Sequence, residues 1–164
     1  MVPELLGPWA ERAVDLADPQ PGECVLDMAC GTGIGARLAA KRLPARVRIV
    51  GLDPDPAMLS VARAIAASLE WHCASALKMP YEKATFDLCM CFQGLQFFPD
   101  RVAGLAEMRR VLKASGRLVA TVWAALEFNK GQHAIIAALR AGSPGHRYGH
   151  GAESLFLFGP RSGT

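Results

Sequence analysis

Residues 24–36 read Cys-Val-Leu-Asp-Met-Ala-Cys-Gly-Thr-Gly-Ile-Gly-Ala, and residues 50–53 read Val-Gly-Leu-Asp. The first stretch is a short apolar run that carries Asp27 and leads into a glycine-rich turn. The second is an apolar run that ends in Asp53. Glycines let the backbone approach a ligand closely, and an acid after the second strand can accept hydrogen bonds from both hydroxyls of a ribose. The two stretches therefore predict a strand–loop–helix–strand unit that binds an adenosine-containing cofactor.

The glycine spacing does not by itself identify the adenosine cofactor. Gly31, Gly33 and Ala36 also satisfy the dinucleotide-binding pattern with alanine in its third position. Asp27 is more informative, because it stands four residues before the first glycine. A carboxylate there does little for an anionic pyrophosphate, whereas a cofactor with an ammonium and a sulfonium group can use it. Asp27 therefore favours a sulfonium cofactor over a dinucleotide.

Four segments, in chain order, resemble the motifs of class I S-adenosylmethionine (SAM)-dependent methyltransferases. Residues 25–33 resemble the family's first motif, and residues 50–59 resemble its ribose-binding motif. Residues 86–100 resemble the fourth strand and the loop after it, and residues 107–118 resemble the helix and turn before the fifth strand. The similarity covers roughly residues 20–123 and is of the small-molecule type.

The resemblance implies SAM as the cofactor and places its candidate binding residues at the ends of the first four strands. These candidates are Asp27, Ala29, Cys30, Gly31, Gly33, Asp53, Pro54, Met58, Ser75, Ala76 and Gln93. Where the family often has an aspartate that reaches the adenine amino group, this chain has Ser75, so weaker adenine recognition is expected. We name no catalytic base, because methyl transfer from a sulfonium mainly needs positioning and exclusion of water.

Strand-like and helix-like segments alternate along the chain, with Thr32 and Asp55 as candidate N-caps. This alternation predicts an α/β, Rossmann-like doubly wound sheet of about five parallel strands. Residues 1–141 are expected to form the SAM-binding domain, ending in a helix over about 129–141. Residues 142–164 form a tail rich in Gly, Ser, Pro and His.

The family's C-terminal antiparallel strand pair is not recognisable in this sequence, so the chain resembles a C-terminally shortened domain. The predicted fifth strand, 117–123, would then be an apolar sheet edge. Such an edge predicts a homodimer or aggregation through the exposed fifth strand. The alternative is that the chain covers the edge with its own tail, in which only Leu155–Phe158 has a strand-like pattern.

Composition excludes several other classes of protein. The 164 residues are 51% apolar and 20% charged, with a formal net charge of +3, which suits one globular domain and does not favour nucleic-acid binding. No apolar run has membrane-spanning length, and no signal-peptide pattern is seen at the N-terminus. The five cysteines form no Cys-x-x-Cys pair, so we expect reduced thiols, no metal site and a cytoplasmic location.

Three functions remain open at this point. The leading hypothesis is methyl transfer from SAM to a small-molecule acceptor. The second is a SAM- or nucleoside-binding protein with little or no turnover, which Ser75 and the shortened C-terminus support. The third is a nicotinamide-binding Rossmann domain, which Asp27 and the downstream motifs disfavour.

Overall fold

The computed structural model describes residues 2–44, 47–123 and 153–158. Its helices are α1 (Val2–Ala17), α2 (Ile34–Arg42), α3 (Pro56–Ile65) and α4 (Arg101–Val111), with one short 3₁₀ turn at Leu95–Phe97. Its strands are β1 (Val25–Met28), β2 (Ile49–Asp53), β3 (Glu70–Cys73), β4 (Phe86–Phe92), β5 (Leu112–Trp123) and β6 (Glu153–Phe158). The predicted helix at 129–141 and the predicted domain boundary at 141 lie outside the described residues.

The strands form one sheet in the order β3-β2-β1-β4-β5-β6. β3, β2, β1, β4 and β5 are parallel to one another, which confirms the predicted Rossmann-like fold with five parallel strands. Strand order reverses between β1 and β4, because β2 and β3 lie on one side of β1 while β4 and β5 lie on the other. In an open parallel sheet, this reversal opens a crevice at the carboxyl ends of the strands.

The sixth strand corrects one expectation about the sheet edge. β6 pairs antiparallel with β5 in a register that runs from Leu118↔Phe158 to Trp123↔Glu153. β5 therefore has a neighbouring strand on both sides. The predicted homodimer through an exposed fifth strand has no free edge of β5 to pair with. The tail of the same chain forms that neighbour, which is the alternative that the sequence also allowed.

Successive residues of the strands alternate between two apolar layers. Val25, Leu88 and Val119 point toward the layer that also contains buried residues of α1, α2 and α3. Leu26 and Cys89 point toward the opposite layer, which contains buried residues of α4 and of the loop after β3. Burial on both faces explains why the strands are nearly continuous apolar runs.

The sequence predicted N-caps for α2 and α3, and the structure confirms only the one on α3. Asp55 caps α3 as predicted, since its side chain accepts from the Ala57 amide at 2.8 Å. The predicted cap of α2 by Thr32 is wrong: the cap position is Gly33, which has a left-handed φ of 76° and no side chain to offer. In place of a local cap, the carboxylate of Asp27 accepts from the Ala36 amide at 2.7 Å. A buried acid from the preceding strand thus satisfies an amide in the first turn of α2.

Candidate active site

The loop after β1 has an unusual backbone that brings its amides to the sheet's carboxyl edge. Ala29, Gly31 and Gly33 all have positive φ, at 52°, 54° and 76°. The Gly31 amide donates to Oδ2 of Asp53 at 2.8 Å, which joins the β1 loop to the end of β2. The sequence predicted both residues at the site, and the structure brings them into direct contact.

Asp53 is the acid that organises the end of β2. Its Oδ1 accepts from the Asp55 amide at 2.9 Å, and only 8% of the residue is exposed. A carboxylate has about four lone-pair positions, so two accepted backbone hydrogen bonds leave it able to accept more. Asp53 is therefore fixed in position and still competent to accept from ligand hydroxyls.

The two predicted glycines have different neighbours. A Cβ built on Gly31 would meet nothing within 4 Å, so this position is open. A Cβ on Gly33 would lie 2.2 Å from Cη2 of Trp71, and one on Gly51 would lie 2.3 Å from Cζ3 of the same ring. Gly33 therefore permits a close approach of the Trp71 side chain to the glycine loop.

Trp71 itself is a buried residue of β3 that the sequence did not assign to the site. Its indole Nε1 donates to the Ala66 carbonyl at 2.9 Å, and its own carbonyl accepts from Arg63 at 3.0 Å. The ring thereby connects the end of α3 to the backbone of the glycine loop. A tryptophan beside two glycines that are far away in sequence offers no local pattern by which this role could have been found.

Asp27 does not lie on the surface of the site. It is 2% exposed, and a Cβ on Gly35 would lie 2.8 Å from its Oδ2, so the carboxylate is enclosed by the first turn of α2. Burial raises the pKa of Asp27 to about 7; the Ala36 amide opposes that rise, and the charge of Asp53 adds to it. The acid thus lies beneath the first turn of α2 and binds the Ala36 amide.

Gln93 follows β4 directly and has a left-handed backbone, with φ of 60°. Its amide donates to the carbonyl of Thr121 at 2.9 Å and to that residue's Oγ1 at 3.1 Å. Next to it, a Cβ on Gly94 would lie 2.5 Å from the Cβ of Ala29, so the β4 loop packs closely on the β1 loop. Gln93 therefore lies at the reversal of strand order, as predicted, and Thr121 is a polar partner that the sequence did not reveal.

The remaining candidate cofactor-binding residues differ in how far they are exposed to solvent. Pro54, Met58 and Ser75 are exposed, and the Ser75 hydroxyl accepts from the Leu77 amide at 3.1 Å. Cys30 and Ala76 are buried, so their side chains contribute packing. Burial raises the pKa of the Cys30 thiol well above its usual range, which keeps it protonated and unreactive.

One pair of ionisable side chains lies near the end of β3. The hydroxyl of Tyr81 and Nδ1 of His72 are 2.9 Å apart, and the rings are stacked with centroids 5.5 Å apart. Burial raises the pKa of Tyr81, so the phenol stays protonated at neutral pH. α4 fixes this loop, since Arg110 donates to the carbonyls of Tyr81 and Met79 at 2.7 and 3.2 Å.

Within the described residues, no cluster of three or more His, Cys, Asp or Glu side chains could hold a metal ion. None of the helices in that part of the chain is long and apolar enough to cross a bilayer.

Comparisons with known proteins identify the family of this chain. Residues 25–116 match the family model described as "Methyltransferase domain". The chain is 42% identical over 115 residues to a demethylmenaquinone methyltransferase of Deinococcus radiodurans, covering 68% of this chain and 47% of the relative. It is 36% identical over 115 residues to a 2-phytyl-1,4-naphtoquinone methyltransferase of Synechococcus elongatus, covering 66% of this chain and 49% of that relative.

Among solved structures, a putative methyltransferase from Bacillus halodurans superimposes with a TM-score of 0.66 at 25% identity, covering 87% of this chain and 62% of the other. The chain spans about half the length of the curated relatives it matches. The family match covers most of the sheet and its carboxyl-edge loops, including both motifs quoted from the sequence. The chain belongs to the class I S-adenosylmethionine-dependent methyltransferase family.

Proposed function

We propose that this chain binds SAM at the carboxyl ends of β1, β2 and β4 and supports transfer of its methyl group to a small-molecule acceptor. The observation that carries the proposal is the Asp53 carboxylate, which is held by the amides of Gly31 and Asp55 at the end of β2. A fixed carboxylate beside an open glycine loop is suited to the two hydroxyls of a ribose.

The residues present fit the rest of the cofactor. Gly31 would bring its backbone close to the ligand, since no residue beyond its chain neighbours has an atom within 4 Å of the place where a Cβ would be. Backbone amides of this loop, with the N-terminus of α2 behind it, suit a carboxylate. Oε1 of Gln93 is a buried acceptor without a hydrogen-bond partner in the described chain, which suits a cationic donor. Met58 and Ser75 are exposed and available to the adenosine part.

Asp27 is proposed to act indirectly. Its carboxylate is enclosed by the first turn of α2, and its hydrogen bond to the Ala36 amide holds the helix start in place. The contributions of Ala29, Cys30, Pro54 and Ala76 are proposed to come from their backbone and packing.

When bound, SAM supplies a methyl group on a sulfonium that is already activated for displacement. The chain's own task is therefore to hold the reacting groups in line and to exclude water. We assign no general base, and burial raises the pKa of Tyr81, so its phenol stays protonated at neutral pH.

A quinone is proposed as the acceptor class. The two curated relatives are named for quinone substrates. Apolar side chains flank the loop after β4, where Phe97 is 77% exposed and Val102 is 78% exposed. An apolar ring system would cover such side chains favourably.

The location of the protein and its domain boundary are also proposed. A cytoplasmic location is supported by five cysteines that are all free thiols, as expected in a reducing compartment. Residues 1–141 are proposed as the SAM-binding domain and 142–164 as its tail, with β6 joining the sheet of that domain.

Calorimetric titration of the purified chain with SAM, S-adenosylhomocysteine and NAD tests the proposal. We expect SAM to bind and NAD to fail. Asp53→Ala should weaken SAM binding at least about tenfold, because it removes charge-assisted hydrogen bonds, and Asp53→Asn should be milder. The matched control is Asp15→Ala, which removes an exposed acid on α1. Unchanged SAM affinity in Asp53→Ala would contradict the site assignment.

A second candidate function is SAM binding with little or no turnover. Ser75 supports it, because its hydroxyl lacks a charge and already accepts from the Leu77 amide. Incubation with SAM and a set of quinones and other small acceptors, followed by mass spectrometry, separates the two. A product heavier by one methylene supports methyl transfer, and tight SAM binding without any product supports the second function.

A further inference from the structure

Thr121 of β5 holds Gln93 at three points. The Gln93 backbone amide donates to both the carbonyl and the hydroxyl of Thr121, at 2.9 and 3.1 Å. The side-chain Nε2 of Gln93 donates to the same hydroxyl at 3.3 Å. The hydroxyl therefore fixes the backbone turn after β4 and also the orientation of the glutamine amide.

Two features of Gln93 are unfavourable in the chain by itself. Its φ of 60° lies in the left-handed region, which residues with a side chain seldom adopt. Its Oε1 is buried and has no hydrogen-bond partner in the described part of the chain. A buried acceptor without a donor is costly, and backbone strain of this kind concentrates at ligand sites. A ligand that supplied the missing donor would satisfy the buried Oε1.

The donor can be identified from the chemistry of the site. Resting on the proposed function, the ribose would lie at Asp53 at the end of β2, and the amino-acid part of SAM would lie on the other side of that loop, toward the ends of β1 and β4. This part of SAM carries one carboxylate and one ammonium. The carboxylate suits the amides of the glycine loop and is repelled by an amide oxygen. The ammonium is the group that donates hydrogen bonds and carries positive charge.

We propose that Thr121 is a positioning residue that anchors the Gln93 amide nitrogen, so that Oε1 of Gln93 accepts a hydrogen bond from the ammonium group of the cofactor. The amide oxygen diverges from the anchored nitrogen because the amide is planar. β5 would thus contribute to cofactor recognition through a side chain that does not itself touch the cofactor.

The test compares two ligands by calorimetry: S-adenosylhomocysteine and its deaminated analogue, which keeps the carboxylate. Thr121→Val keeps the shape of the side chain and the carbonyl that accepts from Gln93, and loses the hydroxyl. We expect Thr121→Val to lower the affinity for S-adenosylhomocysteine about tenfold and to leave the affinity for the deaminated analogue unchanged. Thr121→Ser is the matched control, and it should bind both ligands as the unaltered chain does.

Gln93→Gly supplies a variant that should fold. Glycine accepts a φ of 60° without strain, so the melting temperature should stay the same or rise while the preference for the amino ligand is lost. The double variant Gln93→Gly with Thr121→Val should prefer S-adenosylhomocysteine over the deaminated analogue as much as Gln93→Gly alone does. The reason is that Thr121 acts through Gln93.

The outcomes separate the hypotheses. Failure of the unaltered chain to bind S-adenosylhomocysteine would overturn the proposed function. Binding with equal losses for both ligands in Thr121→Val or Gln93→Gly would overturn this inference and leave the proposed function standing. A third outcome would also overturn the inference: Thr121→Val binds the deaminated analogue more weakly but binds a decarboxylated analogue as before. The Gln93 amide would then present its nitrogen to the cofactor carboxylate.

Discussion

The burial of Asp27 predicts an unusual dependence of stability on pH. This carboxyl is 2% exposed and is enclosed by the first turn of α2. Burial raises its pKa from 3.8 to about 7, and the Ala36 amide only partly opposes the rise. The folded state therefore holds the proton more tightly than the unfolded chain does. Stability contributed by this proton is fully present below the unfolded pKa and is lost as the pH rises through the folded pKa.

The size of the effect follows from the two pKa values. Each unit of difference corresponds to about 1.4 kcal/mol, so the full effect is on the order of 4 kcal/mol. Between pH 5 and pH 8 the loss should be about 3 kcal/mol, because part of the change occurs below that range. A small domain has roughly 5–15 kcal/mol of stability in total, so such a loss is readily measured.

Urea unfolding of the unaltered chain and of Asp27→Asn at several pH values measures this difference. The amide keeps an acceptor for the Ala36 amide and carries no titrating proton. We expect the free energy of unfolding of the unaltered chain to fall over the range and that of Asp27→Asn to stay level. Below this range, Glu70, Asp87 and Glu107 add the opposite slope, because their contacts with cations or backbone amides lower their pKa values.

Parallel pH profiles for the two proteins would refute the reasoning. They would show that Asp27 is ionised in both folded and unfolded states over the range, and hence that the amides of α2 compensate its burial. Asp15→Asn serves as the matched control, because this acid is exposed and should leave the pH profile of the unaltered chain unchanged.

The structure makes three further predictions. Gly33→Ala should lower the free energy of unfolding by about 1–3 kcal/mol, because its Cβ would lie 2.2 Å from Trp71, and Gly31→Ala should cost less in the same urea assay. Equal costs would show that positive φ alone is responsible. Arg110→Met should cost about 1 kcal/mol and speed hydrogen exchange in the β3–β4 loop, whose carbonyls it binds; unchanged exchange would contradict this clamp. Deleting residues 153–158 should expose the edge of β5 and cause association in light scattering, whereas a monomeric product would contradict the edge argument.

Local sequence patterns were enough to predict the family and most strands of the sheet. The apolar runs before Gly31 and Asp53 have the length and composition of buried parallel strands, and the helix starts after them are marked by glycine or by Asp55. These features depend on residues close together in the chain, so the sequence displays them directly. The pairing of Gly31 with Asp53 followed from topology, because adjacent parallel strands end at the same edge.

Several features could not be predicted from local pattern. The start of β5 at Leu112 instead of Arg117 depends on a register shift, since Phe86 pairs with Leu112 while Leu88 pairs with Arg117. The coverage of β5 by β6 depends on a strand whose own sequence does not indicate where it pairs. In each case the deciding contact joins segments whose relative position is fixed only by packing.

The sequence by itself determined the α/β fold, the family and the place of the candidate site, because periodicity, glycine turns and strand-end acids are local properties. The tertiary structure alone decided what several of those residues do. It placed Asp27 beneath α2, set the Trp71 ring against Gly33, and joined Gln93 to Thr121. Burial and hydrogen-bond partners are properties of the packed chain, so neither the enclosure of Asp27 nor the contact between Gln93 and Thr121 is visible in the local sequence.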